Sequence, residues 1–187
     1  MKQLLLFVFA LLALGPRTLH AQAVAPESKQ FDFLLGQWQI EVTPKVSSLA
    51  AMVHGSPRLA GTWKAWRAMD GLAVEDEIRI VDASGNPISL SHGMRIYSKA
   101  EGHWKSSSLD GYRARFSEST GQLQGAEMRL NGRGVDPEGK PALTRVRYFD
   151  IGANGFRMQQ DRSIDEGKSW DEGVVSIVAK RVAAAAP

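Results

Sequence analysis

The residues able to do chemistry in this chain are few and far apart. It has no cysteine, so thiolate metal sites, disulfides and thiol nucleophiles are ruled out. Of its four histidines, His20 lies in the N-terminal leader and His54 in a long strand-poor connection. His92 and His103 fall at opposite ends of one predicted hairpin, too distant to share a metal ion. No Gly-x-Ser-x-Gly elbow or Walker loop occurs, and Gly132-Arg133-Gly134 lacks the third glycine and following helix of a dinucleotide site. The same hairpin sets His92 near Asp110, with Ser91 and Ser108 close by, which are the components of a hydrolytic triad. Serines beside an Asp-Gly turn account for the same residues, and no catalytic residue, metal site or cofactor is assigned on these patterns.

What remains is the set of polar side chains that strand alternation turns inward. If Asp70-Gly71 is a two-residue hairpin turn, Met69 faces Leu72, Arg67 faces Val74, Ala65 faces Asp76 and Trp63 faces Ile78 on a mostly apolar inner face. Lys64 against Glu77 and Trp66 against Glu75 then point outward. Arg67 and Asp76 sit diagonally on the inner face. Burying either charge alone is costly, so each pairs with the other or with a ligand. A second hairpin, turned around Ala100-Glu101-Gly102, places Met94, Ile96, Ser98, Trp104, Ser106 and Ser108 inward, with Arg95, Tyr97, Lys99, His103, Lys105 and Ser107 outward. Inward serines are too small to fill a barrel and leave room walled with hydroxyls. A third, around Gly152-Ala153-Asn154-Gly155, puts Val146, Tyr148, Phe156, Met158 and Gln160 inside, with Arg145 against Asp161 outside.

The elements that position these groups are strands. From Phe31 onward, short alternating runs recur between Gly, Asn, Asp and Pro, and no stretch of helical length keeps apolar residues at three-and-four spacing. Strands are predicted near 36–43, 59–69, 72–82, 91–99, 103–109, 112–119, 122–130, 143–150, 156–163 and 173–182. A meander of this length removes its edges by closing, which gives an all-β fold: an up-and-down antiparallel barrel of about ten strands. Residues 44–58 form a longer connection, a loose loop or a lid. Asp136-Pro137-Glu138-Gly139 reads as a turn.

The ends of the chain bear on location and charge. Lys2, an uncharged apolar run from Leu4, the break at Gly15-Pro16-Arg17 and the small-x-small Ala21-Gln22-Ala23 have the form of a cleavable signal peptide over 1–23. The apolar run is too short to cross a bilayer, so no transmembrane segment is expected after cleavage, and the protein is expected to be periplasmic or secreted. One barrel domain then spans 24–182, followed by a disordered alanine-rich tail over 183–187. Lys2 and Arg17 supply two of the three net positive charges, and the remaining basic and acidic residues are interspersed. The footprint of a nucleic-acid binder is missing.

Phe31-Asp32-Phe33-Leu34-Leu35-Gly36-Gln37-Trp38 closely resembles the opening of a family of exported, lipocalin-like bacterial proteins of unknown function, F-D-F-x-x-G-x-W. It contains the G-x-W of the wider calycin superfamily. The resemblance implies that Gly36 and Trp38 close one end of the barrel, with Arg181 from the last strand lying against the indole. Haem is bound in this superfamily by nitrobindin-like barrels through a histidine late in the chain. Here none follows His103, so the histidine of that haem motif is missing and no haem is assigned, Tyr148 or a methionine being the other ligand types present. Separately, Ser163-Ile164-Asp165-Glu166-Gly167-Lys168-Ser169-Trp170 resembles the Asp-box, S-x-D-x-G-x-T-W, with Ser169 in the threonine position. A single copy in a short chain implies a rigid hairpin rather than sialidase chemistry.

These patterns favour a binding protein over an enzyme: an exported barrel holding a small apolar or amphipathic ligand, with Trp63 and Trp104 as walls and Arg67, Asp76, Tyr148 and Gln160 as polar anchors. The alternatives are a hydrolase or other enzyme acting on a hydrophobic or glycan substrate, with Asp76 or Glu75 as acid or base, and an interaction module with a packed barrel whose outer Trp66 and Tyr97 mark a contact patch.

Overall fold

A computed structural model describes residues 24–47, 52, 55, 57–136 and 138–183. The leader over 1–23, most of the alanine-rich tail, and residues 48–51, 53–54 and 56 of the long connection lie outside the described residues. Ten strands follow in order: β1 (Gly36–Pro44), β2 (Leu59–Ala68), β3 (Ala73–Val81), β4 (Pro87–Ser98), β5 (His103–Asp110), β6 (Arg115–Gln124), β7 (Glu127–Val135), β8 (Pro141–Gly152), β9 (Gly155–Ser163) and β10 (Asp171–Arg181). Each pairs antiparallel with the next, and β1 pairs with β10, so the sheet is a closed up-and-down barrel with no free edge. No helix among the described residues is long and apolar enough to cross a membrane.

Alternation sets the inner and outer faces. In β1, Trp38, Ile40 and Val42 are buried while Gln37, Gln39 and Glu41 are exposed. The β2–β3 and β8–β9 pairings follow the expected registers, with Trp63 opposite Ile78, Ala65 opposite Asp76, Tyr148 opposite Met158 and Arg145 opposite Asp161. The first turn is longer than expected. β2 stops at Ala68, and a 3₁₀ turn over Met69–Gly71 makes the connection with Met69 and Asp70 at positive φ.

Three expectations are corrected. The chain is not extended from Phe31: Pro26–Leu34 form a run of 3₁₀ turns, here called the plug helix, which starts on Pro26 and buries Phe31 and Leu34. The turn between β6 and β7 lies at Gly125-Ala126 rather than near residue 120. Gly125 takes φ 61°, while Gly121 stays inside β6, where a Cβ would come within 2.8 Å of Leu130 and 2.9 Å of the Arg129 carbonyl. In the β4–β5 hairpin, Ser98 pairs with His103 across four loop residues, and the Gly102 amide donates to the Ser98 carbonyl at 2.8 Å. That single-residue slip reverses β4, so Arg95 and Tyr97 face inward and Met94, Ile96 and Ser98 outward. Tyr97 packs on Trp104 and is no part of an outer contact patch.

The core is concentrated at one end, called the bottom. Phe31 and Phe33 of the plug helix meet Trp104, Tyr148 and Phe156 edge-on, and Trp38 packs on Phe156 at 4.9 Å between centroids. The Arg181 guanidinium lies over the Trp38 ring at 3.9 Å, and the Trp38 indole N–H donates to the Leu34 carbonyl at 2.6 Å. Gly36 adopts φ 113°, and a Cβ there would approach Arg181 Nη1 to 2.7 Å, the nitrogen that donates to the Leu35 carbonyl. Gly36, Trp38 and Arg181 thus seal the bottom together.

Candidate functional site: a cavity with a paired-charge floor

Above this packed layer the barrel is hollow. Ser106, Ser108, Ser117, Ser119, Gly132 and Gly134 face inward on the adjacent strands β5, β6 and β7 and are too small to reach the opposite wall, leaving a cavity of about 440 Å³. Its other side is formed by Trp63, Ile78, Val146, Met158 and Gln160, and Arg162 stands toward the open rim.

The floor is a buried charge pair. Asp76 Oδ2 accepts from the Trp63 indole N–H at 2.8 Å and lies 2.8 Å from Arg95 Nη1. Asp76 and Arg95 are 2 % and 8 % exposed. Neither ion could be buried alone without a penalty of several kcal/mol. The pair fits because position 93 on β4 is glycine: a Cβ there would collide with Asp76 Oδ1. Burial by itself would lower the Arg95 pKa, but Asp76 and then Tyr148 outweigh it and hold the guanidinium charged above its ordinary value. Burial likewise pushes the Tyr148 phenol up, against the pull of Arg95. Asp76 answers Arg95 Nη1, whereas Arg95 Nε and Ser106 Oγ are buried without a hydrogen-bond partner. The floor holds more donors than the protein satisfies.

Of the residues expected to hold a ligand, Trp63, Tyr148 and Gln160 line this cavity and Asp76 lies beneath it. Arg67 and Trp104 do not line it. The expected Arg67–Asp76 pairing is corrected: Arg67 Nη2 binds the Asp32 carboxylate of the plug helix, and Nη1 donates to the Gly71 carbonyl at 3.2 Å. Trp104 is fully buried, its indole N–H donating to Gln30 Oε1 at 3.0 Å. Both residues fasten the plug. The residue that sequence reasoning missed is Arg95, turned outward by the miscounted β4–β5 loop. Its signal was available in the costly Asp76, which needs a partner, and in Gly93 two residues earlier.

The hydrolytic arrangement does not assemble. His92 points outward, 3.6 Å from Glu75 and tilted against Trp66, whereas Ser108 faces the cavity. Asp110 is held by Arg113 at 2.8 Å and by the backbone amides of Tyr112 and Arg113. Glu75 shares the outer surface with His92, and Asp76 is committed as the counter-ion of Arg95, so the two carboxylates considered for acid–base work lie on opposite faces of β3.

The Asp-box segment forms the hairpin cap its residues imply. Asp165 accepts from the Ser169 amide at 2.9 Å and from the Ser169 hydroxyl at 2.6 Å, and Ser163 Oγ donates to it at 2.7 Å while accepting from the Gly167 amide at 2.8 Å. The Ser169 side chain, then its backbone N–H and Ser163, hold the Asp165 carboxyl far below the usual range. The Trp170 indole N–H donates to the Gly167 carbonyl at 3.2 Å, and Arg145 stacks on its ring at 3.7 Å.

Fold and site together define a closed ten-stranded antiparallel barrel, packed at one end and hollow at the other. Among solved structures, the chain is similar to a de novo designed fluorescence-activating β-barrel, with TM-score 0.38 and 9 % identity over 81 % of this chain and 95 % of that one. It is also similar to EF1p2_mFAP2b bound to DFHBI, with TM-score 0.39 and 10 % identity over 83 % of this chain and 98 % of that one. No family model matches the chain, and no curated protein does.

Proposed function

We propose that this is a periplasmic or secreted binding protein that carries one small, partly apolar molecule in the hollow half of the barrel. The observation that carries the reading is the cavity of about 440 Å³, within the range of small-molecule sites, with one apolar wall facing a wall of serines and charged side chains. Export is supported by the signal-like residues 1–23. The lipocalin-like reading of the F-D-F-x-x-G-x-W opening is supported by the stacked Trp38–Arg181 pair at the barrel bottom. The site's chemistry favours holding over turnover, since the charged groups at its floor neutralise one another.

The test is titration with an uncharged, environment-sensitive naphthalene dye, followed by its emission. The natural protein should bind one dye saturably. Ser108→Phe, which fills the cavity from β5, should bind it at least about tenfold more weakly while keeping its melting cooperativity. Equal binding by both proteins places the dye elsewhere and contradicts the reading.

A further inference from the structure

The floor of the cavity specifies which end of a ligand reaches it. Arg95 is a permanent cation, and Asp76 already answers its charge at 2.8 Å. The floor is therefore neutral as a unit. A carboxylate brought against it would face Asp76 and leave one uncompensated negative charge at the floor; an ammonium would face Arg95. What the floor lacks is acceptors. The guanidinium has five N–H groups against the Asp76 carboxylate and the Tyr148 phenol oxygen, its Nε makes no hydrogen bond, and buried Ser106 Oγ has no partner either. Tyr148, which lines the cavity and takes a hydrogen bond from Arg95, adds its own O–H. One wall above this floor, with Trp63, Ile78, Leu130, Val146 and Met158, is apolar, and the lining also carries serines and the charged Arg113, Arg162, Asp110 and Glu118.

From this juxtaposition we infer that the cavity floor is a seat for an uncharged carbonyl oxygen, so that the ligand is a ketone, ester or amide whose remaining bulk is apolar. This rests on the binding reading above and names its ligand class. One neutral acceptor satisfies the spare donors without disturbing the Asp76–Arg95 charge balance. It also accounts for keeping an ion pair where a hydrophobic pair of similar volume would be as stable.

Three naphthalenes matched in size test it: a 2-acyl ketone, the 2-alkyl compound without the oxygen, and the 2-carboxylate. Each is titrated into the natural protein and into the Asp76→Leu, Arg95→Met double variant, whose buried pair is replaced by apolar side chains so that it still folds. The natural protein should prefer the ketone over the alkyl compound by about tenfold or more, the gain of a hydrogen bond to a charged donor, and should bind the carboxylate more weakly than the ketone. The ketone's infrared carbonyl stretch should fall in frequency on binding. In the double variant that shift and the ketone preference should disappear while the alkyl compound still binds. Tightest binding by the carboxylate, or equal binding of ketone and alkyl compound by the natural protein, overturns the carbonyl seat and leaves the binding reading standing. Failure of all three to bind overturns both.

Discussion

Asp76 and Arg95 show how a residue's role follows from its neighbours more than from its type. From sequence, Asp76 is recognisably an inward carboxylate in need of a cation, and the nearest inward arginine by hairpin register is Arg67. The partner is instead Arg95, on the next strand, because a four-residue loop rather than a three-residue one turns β4 over. The need for a partner was legible; its identity depended on one loop residue. This pair yields a stability prediction. Asp76→Ala leaves the Arg95 charge buried and unanswered and should cost about 3–5 kcal/mol by urea denaturation. The Asp76→Leu, Arg95→Met double variant should recover most of that loss. A single variant as stable as the natural protein would mean that the pair is hydrated and not part of the buried floor.

At the scale of elements, the plug helix and the Asp-box hairpin cap opposite ends of the barrel. The plug was illegible as helix because its nine residues follow neither a 3.6 period nor strict alternation, and because its end merges with the G-x-W strand. Its Phe31, fully buried between Trp104 and Tyr148, should cost about 3–5 kcal/mol when changed to Ala, measured as lost unfolding free energy. A loss under about 1 kcal/mol would show that the plug is dispensable to the core. The Asp-box hairpin was legible as a motif because its bonds are local. Asp165 has a depressed folded-state pKa, so its contribution is fully present above the unfolded value of about 3.9 and is lost as pH falls toward the folded one. Asp165→Asn should therefore be less stable than the natural protein near neutrality, and the gap should narrow as pH falls below about 4. A gap that stays constant with pH would place the carboxylate outside the hairpin's stabilising bonds.

Across the whole molecule, strand number, order and closure were readable because alternation and turn residues repeat along the chain and a long meander has one economical way to remove its edges. Hollowness was only partly readable. Inward serines at 106 and 108 announced it, but Gly132 and Gly134 lay beyond the expected strand end near residue 130, and the extra space they leave appears only once β7 is seen to continue to Val135. The molecule divides its labour along the barrel axis. Aromatic packing, the plug and the Trp38–Arg181 stack carry stability at the bottom, which leaves the upper half free to stay unfilled.

The measurement that bears most directly on that division is native mass spectrometry of the protein purified from the compartment of its own cells where it accumulates, alongside its mass after denaturation and alongside Ser108→Phe. The account predicts a discrete excess mass of one small molecule in the natural protein, absent after denaturation and absent from Ser108→Phe. A bare mass for the natural protein that persists with every candidate extract, or the same adduct on both proteins, would contradict a ligand held in the hollow half of the barrel.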